Sequence, residues 1–261
     1  MEPYTPLSRS IAGSSAIITG AASGMGRATA HLFASEGAKV AVTDLDAGAC
    51  QQVVEEIAAN GFETARAWAL DVSDPEAITR VVAEVADAFG GLDILVNNAG
   101  FGNFVSPDDG AEYERVWQKS LDVMLSAHQR MIRATLQHLR ESDNPRIVNV
   151  ASTEGLGATP GNSPYVAAKH GVIGLTRGLA ADLGKEGITV NCICPGPIHT
   201  GITEAIPEEH KEIYARRRTA LRRYGRPEEV ANVTLSVVLP ASSFLTGAII
   251  PVDGGLVVRN A

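Results

Sequence analysis

The chain carries the sequence Ser15-Ala16-Ile17-Ile18-Thr19-Gly20-Ala21-Ala22-Ser23-Gly24-Met25-Gly26, and this stretch decides the fold. Its first five residues form a short apolar run that is typical of a buried strand. The three glycines predict a tight turn into a helix that ends at Gly37. Glycines at such a turn let the backbone approach a pyrophosphate, which then lies at the helix N-terminus, where free N–H groups favour negative charge. The stretch therefore predicts the start of a dinucleotide-binding unit.

The next apolar run, residues 39–44, predicts a second strand that ends in an acidic residue, Asp44. A carboxylate at this place accepts hydrogen bonds from the ribose hydroxyls of an adenosine. It also repels the 2′-phosphate that distinguishes NADP from NAD. Asp44 therefore predicts that the cofactor is NAD.

Helix-like and strand-like runs alternate along the rest of the chain. Strands that alternate with helices form a parallel sheet with helices on both faces, which is an α/β architecture. No linker, repeat or low-complexity tract divides the chain, so we expect one domain over residues 1–261. The predicted helices lie at about 47–60, 75–89, 112–141, 163–183 and 227–239, and the predicted strands at about 65–70, 93–97, 146–151, 189–194 and 248–252. We interpret residues 199–226 as polar and irregular.

Composition narrows the class of protein. The chain has 45% hydrophobic and 20% charged residues, as ordinary globular proteins do. Its net charge of −8 argues against a general binder of nucleic acid or of anionic membranes. No apolar run is long enough to cross a membrane, and residues 1–12 contain no apolar signal core. We therefore expect a cytoplasmic protein without nucleic-acid or membrane partners.

The three cysteines, Cys50, Cys192 and Cys194, are too few for a disulfide framework. Cys192 and Cys194 are two residues apart in a strand-like run, so they share one face of that strand. We interpret them as buried small hydrophobes, because the sequence offers no further ligands that would complete a metal site.

A second segment combines a serine, a tyrosine and a lysine. Ser152 follows the strand-like run at 146–151 and therefore belongs at the carboxyl end of a strand. Tyr165 and Lys169 are four residues apart at the start of a predicted helix, so their side chains share one face. A lysine ammonium beside a phenol lowers the pKa of the phenol, which allows proton exchange nearer neutral pH.

Taken in order, these motifs resemble the short-chain dehydrogenase/reductase family in its single-domain form. The residues that carry the resemblance are Thr19-Gly20-x-x-x-Gly24-x-Gly26, Asp71, Asn97-Asn98-Ala99-Gly100, Ser152, Tyr165-x-x-x-Lys169 and Pro195-Gly196. The resemblance implies a Rossmann-type, doubly wound sheet of seven parallel strands in the order 3-2-1-4-5-6-7. It also implies hydride transfer between NAD(P) and an alcohol or carbonyl, and a homotetramer.

Site residues follow from this resemblance. Tyr165 would be the catalytic acid/base, Ser152 would hold the substrate oxygen, and Lys169 would bond the nicotinamide ribose and lower the pKa of Tyr165. The residues implied at the cofactor are Gly20, Ser23, Gly24, Met25, Gly26, Asp44, Leu45, Asp71, Val72, Asn98, Ala99, Gly100, Tyr165, Lys169, Pro195, Gly196, Ile198 and Thr200. The residues implied at the substrate pocket are Phe101, Phe104, Thr153, Glu154, Asn162 and Pro197.

The substrate is less readable than the cofactor. Phe101 and Phe104 favour an apolar or cyclic secondary alcohol or its ketone. Glu154 either bonds a second substrate hydroxyl or faces solvent, and we favour solvent. Residues 199–226 fit a mobile lid over the site, or alternatively a surface helix pair that contributes to subunit packing.

One position departs from the family pattern. Met124 stands where the family has an asparagine that supports a helix distortion and a water that relays protons to the lysine. Methionine offers no donor and only a weak acceptor. Either a backbone carbonyl still holds the water, or another polar group such as Ser120 or Ser126 takes over.

The leading functional hypothesis is an NAD-dependent dehydrogenase that interconverts a secondary alcohol and its ketone. A second hypothesis is a reductase of 3-oxoacyl thioesters, which Asp44 and the acidic charge balance oppose. A third is a cofactor-binding protein whose turnover is weakened by Met124, which the intact Ser152, Tyr165 and Lys169 oppose.

Overall fold

A sheet of seven parallel strands forms the centre of the protein, in the order β3-β2-β1-β4-β5-β6-β7. The computed structural model describes residues 5–102 and 104–259. The strands are β1 (Ser15–Thr19), β2 (Lys39–Asp44), β3 (Ala65–Ala69), β4 (Ile94–Asn97), β5 (Arg146–Val150), β6 (Thr189–Pro195) and β7 (Ile249–Val252). Both the strand order and the doubly wound α/β class that the sequence predicts are confirmed.

Helices cover both faces of this sheet. They are α1 (Gly24–Ser35), α2 (Ala47–Ala59), α3 (Pro75–Phe89), α4 (Ala111–Leu121), α5 (Ala127–Arg140), α6 (Ser163–Leu183), α7 (Gly201–Glu204), α8 (Glu208–Arg218) and α9 (Pro227–Val238). Most predicted boundaries lie within two residues of the observed ones. Aspartates fix two of the starts, because Asp46 and Asp74 each accept two backbone N–H groups at the first turns of α2 and α3.

The central strands are mostly apolar because they have a buried core on both sides. Every residue of β1 and of β6 is buried, whereas the edge strands β3 and β7 are partly exposed. One apolar cluster joins Phe33 of α1 and Val238 of α9 to residues of β1 and β2. A second cluster joins Val85 of α3 and Met131 of α5 to residues of β4 and β5. This two-sided burial explains why the central strands read as continuous apolar runs rather than as alternating patterns.

Two predicted segments differ from the structure. The single long helix predicted over 112–141 is divided by a π-helical turn, Asp122–Ser126, between α4 and α5. The stretch 199–226, predicted to be irregular, contains α7 and α8. That prediction was wrong because α8 buries only Lys211 and Ala215, so it lacks the apolar periodicity by which a helix is found.

All three cysteines are buried, as was predicted for Cys192 and Cys194. These two lie on one face of β6 with their Sγ atoms 3.9 Å apart, and Cys50 lies on the buried side of α2. Within residues 5–102 and 104–259, no group of three His, Cys, Asp or Glu side chains is arranged to hold a metal ion. In the same part of the chain, no helix has the length and apolar character that crossing a membrane requires.

The order of the strands fixes where a ligand binds. The chain fills the sheet outward from β1 to β3, then returns to β4 on the other side of β1. At such a switch point the loops after neighbouring strands diverge and leave a crevice at the carboxyl ends of the strands. The glycine turn after β1 and the segment after β4 therefore face the same crevice.

Candidate active site

The turn between β1 and α1 requires glycine. Gly20 and Gly24 have φ values of +65° and +52°, a conformation that other L-residues rarely adopt. A Cβ on Gly20 would lie 2.8 Å from Ala99 Cα, and one on Gly26 would lie 2.2 Å from Gly20 O. The Asn98 side chain donates to Thr19 O (2.9 Å) and Gly20 O (3.0 Å), which ties the turn to the segment after β4. The result is an exposed backbone cradle at the N-terminus of α1.

Gly26→Ala is expected to destabilise the protein by about 1–3 kcal/mol, because the added methyl overpacks against backbone. Nucleotide affinity should fall as well, since relief of the clash moves the cradle. Thermal unfolding and an NADH fluorescence titration measure the two effects. Gly184→Ala is the matched control, since Gly184 has helical φ and ψ and open space around its Cα. Equal melting temperatures and equal NADH affinities for Gly26→Ala and Gly184→Ala would contradict the assigned role of Gly26.

The carboxylate of Asp44 is fixed beside this cradle. Its Oδ2 accepts a hydrogen bond from Ala22 N (3.1 Å), and its Oδ1 accepts one from Leu45 N (2.7 Å). Asp71, after β3, is held in a local turn in which its Oδ1 accepts from the backbone and the hydroxyl of Ser73. Both carboxylates are thus oriented by backbone at the adenosine end of the crevice.

A cavity of about 590 Å³ runs along the carboxyl ends of β1 to β4. The predicted residues that line it are Gly20, Ser23, Gly24, Met25, Asp44, Leu45, Asp71, Val72, Asn98, Ala99, Gly100 and Thr200, together with Phe101, which the sequence assigned to the substrate pocket. The elongated shape, the glycine cradle and the fixed carboxylates fit a dinucleotide.

Sequence reasoning missed six residues of this lining: Leu70, Gly102, Lys119, Val123, Gly201 and Ile202. Lys119 and Val123 are four residues apart and so share one face of the helix. That spacing was the available signal. The Lys119 Nζ lies 4.8 Å from the centre of the Phe101 ring, a cation–π contact at the rim of the cavity.

Only the later part of the segment from Pro195 onward lines this cavity. Gly196 is packed so tightly that a Cβ there would lie 2.8 Å from Asp253 Cα. The Ile198 side chain is buried against Gly225. Pro197 lines a separate cavity of about 110 Å³. Among the residues implied at the cofactor by this segment, Thr200 lines the main cavity, whereas Pro195, Gly196 and Ile198 do not.

Ser152, Tyr165 and Lys169 come together at the carboxyl end of β5. The buried Lys169 Nζ donates to Val150 O (2.9 Å) and lies 5.5 Å from the centre of the Tyr165 ring. Ser152 Oγ accepts from Glu154 N (3.1 Å) and so begins a 3₁₀ turn, Thr153–Gly155. A Cβ on Gly155 would lie 2.8 Å from Lys169 O, so this turn packs directly on α6.

Burial controls the protonation of this group. It raises the pKa of Tyr165, and a hydrogen bond with Ser152 opposes that rise. Burial also lowers the pKa of Lys169 to about 8, against an opposing influence of Cys192 and Cys194. The sequence-based expectation that Lys169 leaves Tyr165 with a lowered pKa is therefore wrong for the chain itself. The desolvation of the phenol is the largest influence, and the ammonium is directed to Val150 O.

The predicted substrate residues surround the mouth of the site unevenly. Thr153 and Asn162 are buried, whereas 74% of Phe104 is exposed. Glu154 is half-buried, and its carboxylate accepts from the backbone N–H and the hydroxyl of Thr159, each at 2.7 Å. Its observed role is to hold the loop between β5 and α6.

Tyr214 on α8 lies near this loop. Burial raises the pKa of Tyr214, and the nearby charges of Arg218 and Glu154 act on it in opposite directions. The Tyr214 ring packs edge-on against Tyr224, with ring centres 6.2 Å apart. The polar sequence of α8 gave no signal for this aromatic pair.

Met124 lies beside Lys169 inside the π-helical turn. It is fully buried, and a methyl group on Gly100 would lie 3.6 Å from Met124 Sδ and 3.8 Å from Lys169 Nζ. The helix distortion that the resemblance associates with asparagine thus occurs here with methionine.

Comparison with known proteins agrees with this geometry. A family model described as Enoyl-(Acyl carrier protein) reductase matches residues 20–257. The chain belongs to the short-chain dehydrogenase/reductase family. It is an oxidoreductase that acts on CH–OH groups and binds a nicotinamide dinucleotide.

Individual members of the short-chain dehydrogenase/reductase family resemble the chain over nearly its full length. The BbsD subunit of (2S)-[(R)-hydroxy(phenyl)methyl]succinyl-CoA dehydrogenase from Thauera aromatica is 40% identical, covering 92% of this chain and 95% of that protein. A 3-alpha-(or 20-beta)-hydroxysteroid dehydrogenase from Mycobacterium tuberculosis is 39% identical, covering 98% and 94%. The crystal structure of a short chain dehydrogenase from Burkholderia cenocepacia in complex with NADP has a TM-score of 0.87 and 37% identity, covering 94% and 98%.

Proposed function

We propose that this family member is an NAD-dependent dehydrogenase that interconverts a secondary alcohol and its ketone. The observation that carries the proposal is the cluster of Ser152, Tyr165 and Lys169, with the Lys169 Nζ anchored 2.9 Å from Val150 O. A hydroxyl, a phenol and an ammonium at the end of β5 are the groups that a proton transfer at a carbinol oxygen requires.

Each residue has a distinct role in the proposed reaction. NAD, when bound by the glycine cradle and Asp44, supplies the acceptor or donor of the hydride. Tyr165 removes the hydroxyl proton of an alcohol as a phenolate, or gives its phenol proton to a ketone oxygen. Ser152 donates a hydrogen bond to the same oxygen and stabilises the charge that develops there. Lys169 places positive charge behind Tyr165 and bonds the nicotinamide ribose.

The raised pKa of Tyr165 gives the two directions opposite pH dependences. Reduction uses the phenol, which prevails below this raised pKa. Oxidation uses the phenolate, so its rate should rise with pH until the phenol has titrated. The positive charge of an oxidised nicotinamide favours the phenolate and would bring this rise to lower pH.

We propose an apolar or cyclic substrate. Phe101 borders the cofactor cavity, Phe104 is 74% exposed, and Tyr214 of α8 adds a third aromatic ring beside the Glu154 loop. The resemblance to a hydroxysteroid dehydrogenase supports the same class of substrate. Absorbance of NADH with a panel of open-chain, cyclic and aromatic secondary alcohols tests the proposal. A lack of turnover across the panel, with intact NADH binding, would contradict it.

A 3-oxoacyl thioester reductase is the second candidate. The resemblance to a subunit of a CoA-thioester dehydrogenase favours it. So do Arg217, Arg218 and Arg222, which are exposed and form no ion pair within the described residues. Acetoacetyl-CoA offered with NADH or NADPH in the same assay distinguishes this candidate from the first.

We also propose that residues 199–226 close over the bound substrate and that the chain forms a homotetramer. The nearness of Tyr214 on α8 to the charge of Glu154 supports the first statement. The second is supported by the exposed apolar residues Phe244 and Val258, which flank β7.

Met124→Asn is expected to preserve or raise turnover in this enzyme. The substitution restores the amide that the family uses beside the lysine, and the π-helical turn that accommodates it is already present. Steady-state kcat, with circular dichroism as the check on folding, measures the outcome. A large loss of activity in a correctly folded Met124→Asn variant would count against the assignment of this position.

A further inference from the structure

Two buried polar side chains lie on either side of Met124, where α4, the π-helical turn and α5 follow one another. Ser120, Met124 and His128 form a row at intervals of four residues. Their exposed fractions are 1%, 0% and 2%, respectively. The row faces the β5 and α6 elements that carry Val150 and Lys169. The methionine at its centre thus has a polar neighbour one turn before it and one turn after it.

His128 has an unexplained hydrogen-bonding atom. Its Nε2 is completely buried and has no hydrogen-bond partner within residues 5–102 and 104–259. Buried polar atoms almost always have partners, so an exception calls for a functional explanation. An unpaired buried polar atom lowers stability, and an apolar residue at position 128 would avoid that loss.

The His128 ring is coupled to Lys169. The ring interacts with the main chain of Asn97 and Val150, and it experiences the positive charge of Lys169. The Val150 carbonyl is the same group that accepts the Lys169 Nζ hydrogen bond at 2.9 Å. The imidazole and the ammonium are therefore both close to the Val150 carbonyl.

The charge state of the imidazole follows from its surroundings. Burial, and then the charge of Lys169, lowers the pKa of His128 to about 3. The other titratable groups near Lys169 are Tyr165 on α6 and the thiols of Cys192 and Cys194 on β6. His128 is therefore expected to be neutral near pH 7, where a neutral imidazole has one N–H donor and one acceptor nitrogen.

We propose that His128 is a positioning residue for Lys169, whose neutral imidazole supplies the polar contact that Met124 lacks. The inference rests on the proposed function, because it gives Lys169 the role of holding the ribose and the Tyr165 proton. The proposal also accounts for Met124. The polar partner of Lys169 is then His128, one turn further along, and the apolar side chain of Met124 fills the space beside the ammonium. Ser120 is the competing partner, since its buried Oγ also has no partner among the described residues.

The first test needs no turnover. Long-range ¹H–¹⁵N NMR of histidine-labelled protein without cofactor reports the tautomer and charge of His128, with His128→Phe identifying its signals. We expect a neutral ring down to about pH 4, in line with the lowered pKa, and ¹⁵N shifts that change in Lys169→Met. Signals that are unchanged in Lys169→Met would overturn the proposal, even if no substrate had been found.

The second test is kinetic. His128→Phe should lower kcat by about tenfold to a hundredfold, because misplacement of Lys169 disturbs the reacting geometry. The KM for NADH should change little, and the pH profile should shift. His128→Gln, which keeps an acceptor, should retain most of the activity, and Ser120→Ala should resemble the wild type. In a Met124→Asn background, His128→Phe should have only a small effect.

The outcomes separate the possible roles. An equal loss in His128→Phe and His128→Gln would show that His128 only fills space, which overturns the proposal. So would an unchanged kcat in His128→Phe, or a loss in Ser120→Ala that matches it. If the wild-type enzyme turned over no alcohol or thioester, the proposed function would fail while the NMR result still decided the contact. If His128→Phe does not fold, His128→Gln and His128→Leu provide the same comparison.

Discussion

Tyr165→Phe is expected to lower kcat for alcohol oxidation by about 10²–10⁴-fold, the range of positioned acid–base catalysis. The substitution removes the phenol, which carries a titratable proton and hydrogen-bonds with Ser152. Cofactor affinity should be nearly unchanged, because the glycine cradle and Asp44 are formed by other elements. Stopped assays of NADH formation give the rate, and NADH fluorescence gives the affinity.

Tyr113→Phe is the matched control for Tyr165→Phe. Tyr113 lies on α4 and makes one hydrogen bond, between its hydroxyl and Ser163 Oγ at 2.9 Å. Loss of this hydrogen bond in Tyr113→Phe should reduce kcat only slightly. The pH profile adds a second criterion, since the rise of wild-type oxidation with pH should be absent from the residual rate of Tyr165→Phe. A Tyr165→Phe enzyme that kept more than about a tenth of the wild-type rate would not fit a general base.

Local sequence patterns were sufficient for most of the fold. The strand ending at Thr19 and the strand ending at Asp44 were predicted to the residue, because apolar runs stop at glycine or charge. The start of α6 at Ser163 was also predicted, since Pro164 favours a first helical turn. The order of the seven strands came from the resemblance, because pairing between distant strands leaves no local pattern.

The parts that sequence could not supply depend on tertiary contacts. Burial raises the pKa of Tyr165, and no motif reports how much water a phenol loses on folding. Glu154 accepts a hydrogen bond from the Thr159 hydroxyl, and the sequence does not predict the loop conformation that brings these two residues together. The α8 helix, with nearly all its residues exposed, has no periodicity to detect. In each case the motifs were identified correctly, but the sequence did not report the contacts that the folded chain makes.

Position 124 combines both kinds of information. The sequence alone flagged Met124 as a departure and named Ser120 and Ser126 as possible substitutes. It did not point to His128. The fold brings both His128 of α5 and Lys169 of α6 close to the Val150 carbonyl. A departure from a family motif can therefore be found by sequence, whereas the residue that compensates for it requires the fold.

Asp44→Ala is expected to reduce the preference for NAD over NADP by up to about a thousandfold. The Asp44 carboxylate is fixed by hydrogen bonds from Ala22 N and Leu45 N, so it cannot swing away from a phosphate. Two like charges about 4 Å apart near a surface repel by about 4 kcal/mol, and each 1.4 kcal/mol is about tenfold in binding. A structurally similar relative, 37% identical, was solved with NADP, so the fold accommodates NADP in at least that relative.

The measurement for Asp44→Ala is the ratio of kcat/KM with NAD to kcat/KM with NADP, taken at one ionic strength because the repulsion is screened by salt. Asp46→Ala is the matched control. Asp46 has the same charge two residues further on, but its carboxylate caps α2 by accepting from Gly48 N and Ala49 N. Its removal should lower stability by about 0.5–2 kcal/mol and leave the cofactor ratio unchanged. If the ratio were similar in the wild type and in Asp44→Ala, the Asp44 carboxylate would exert no effective repulsion at the ribose. Another group would then select the cofactor.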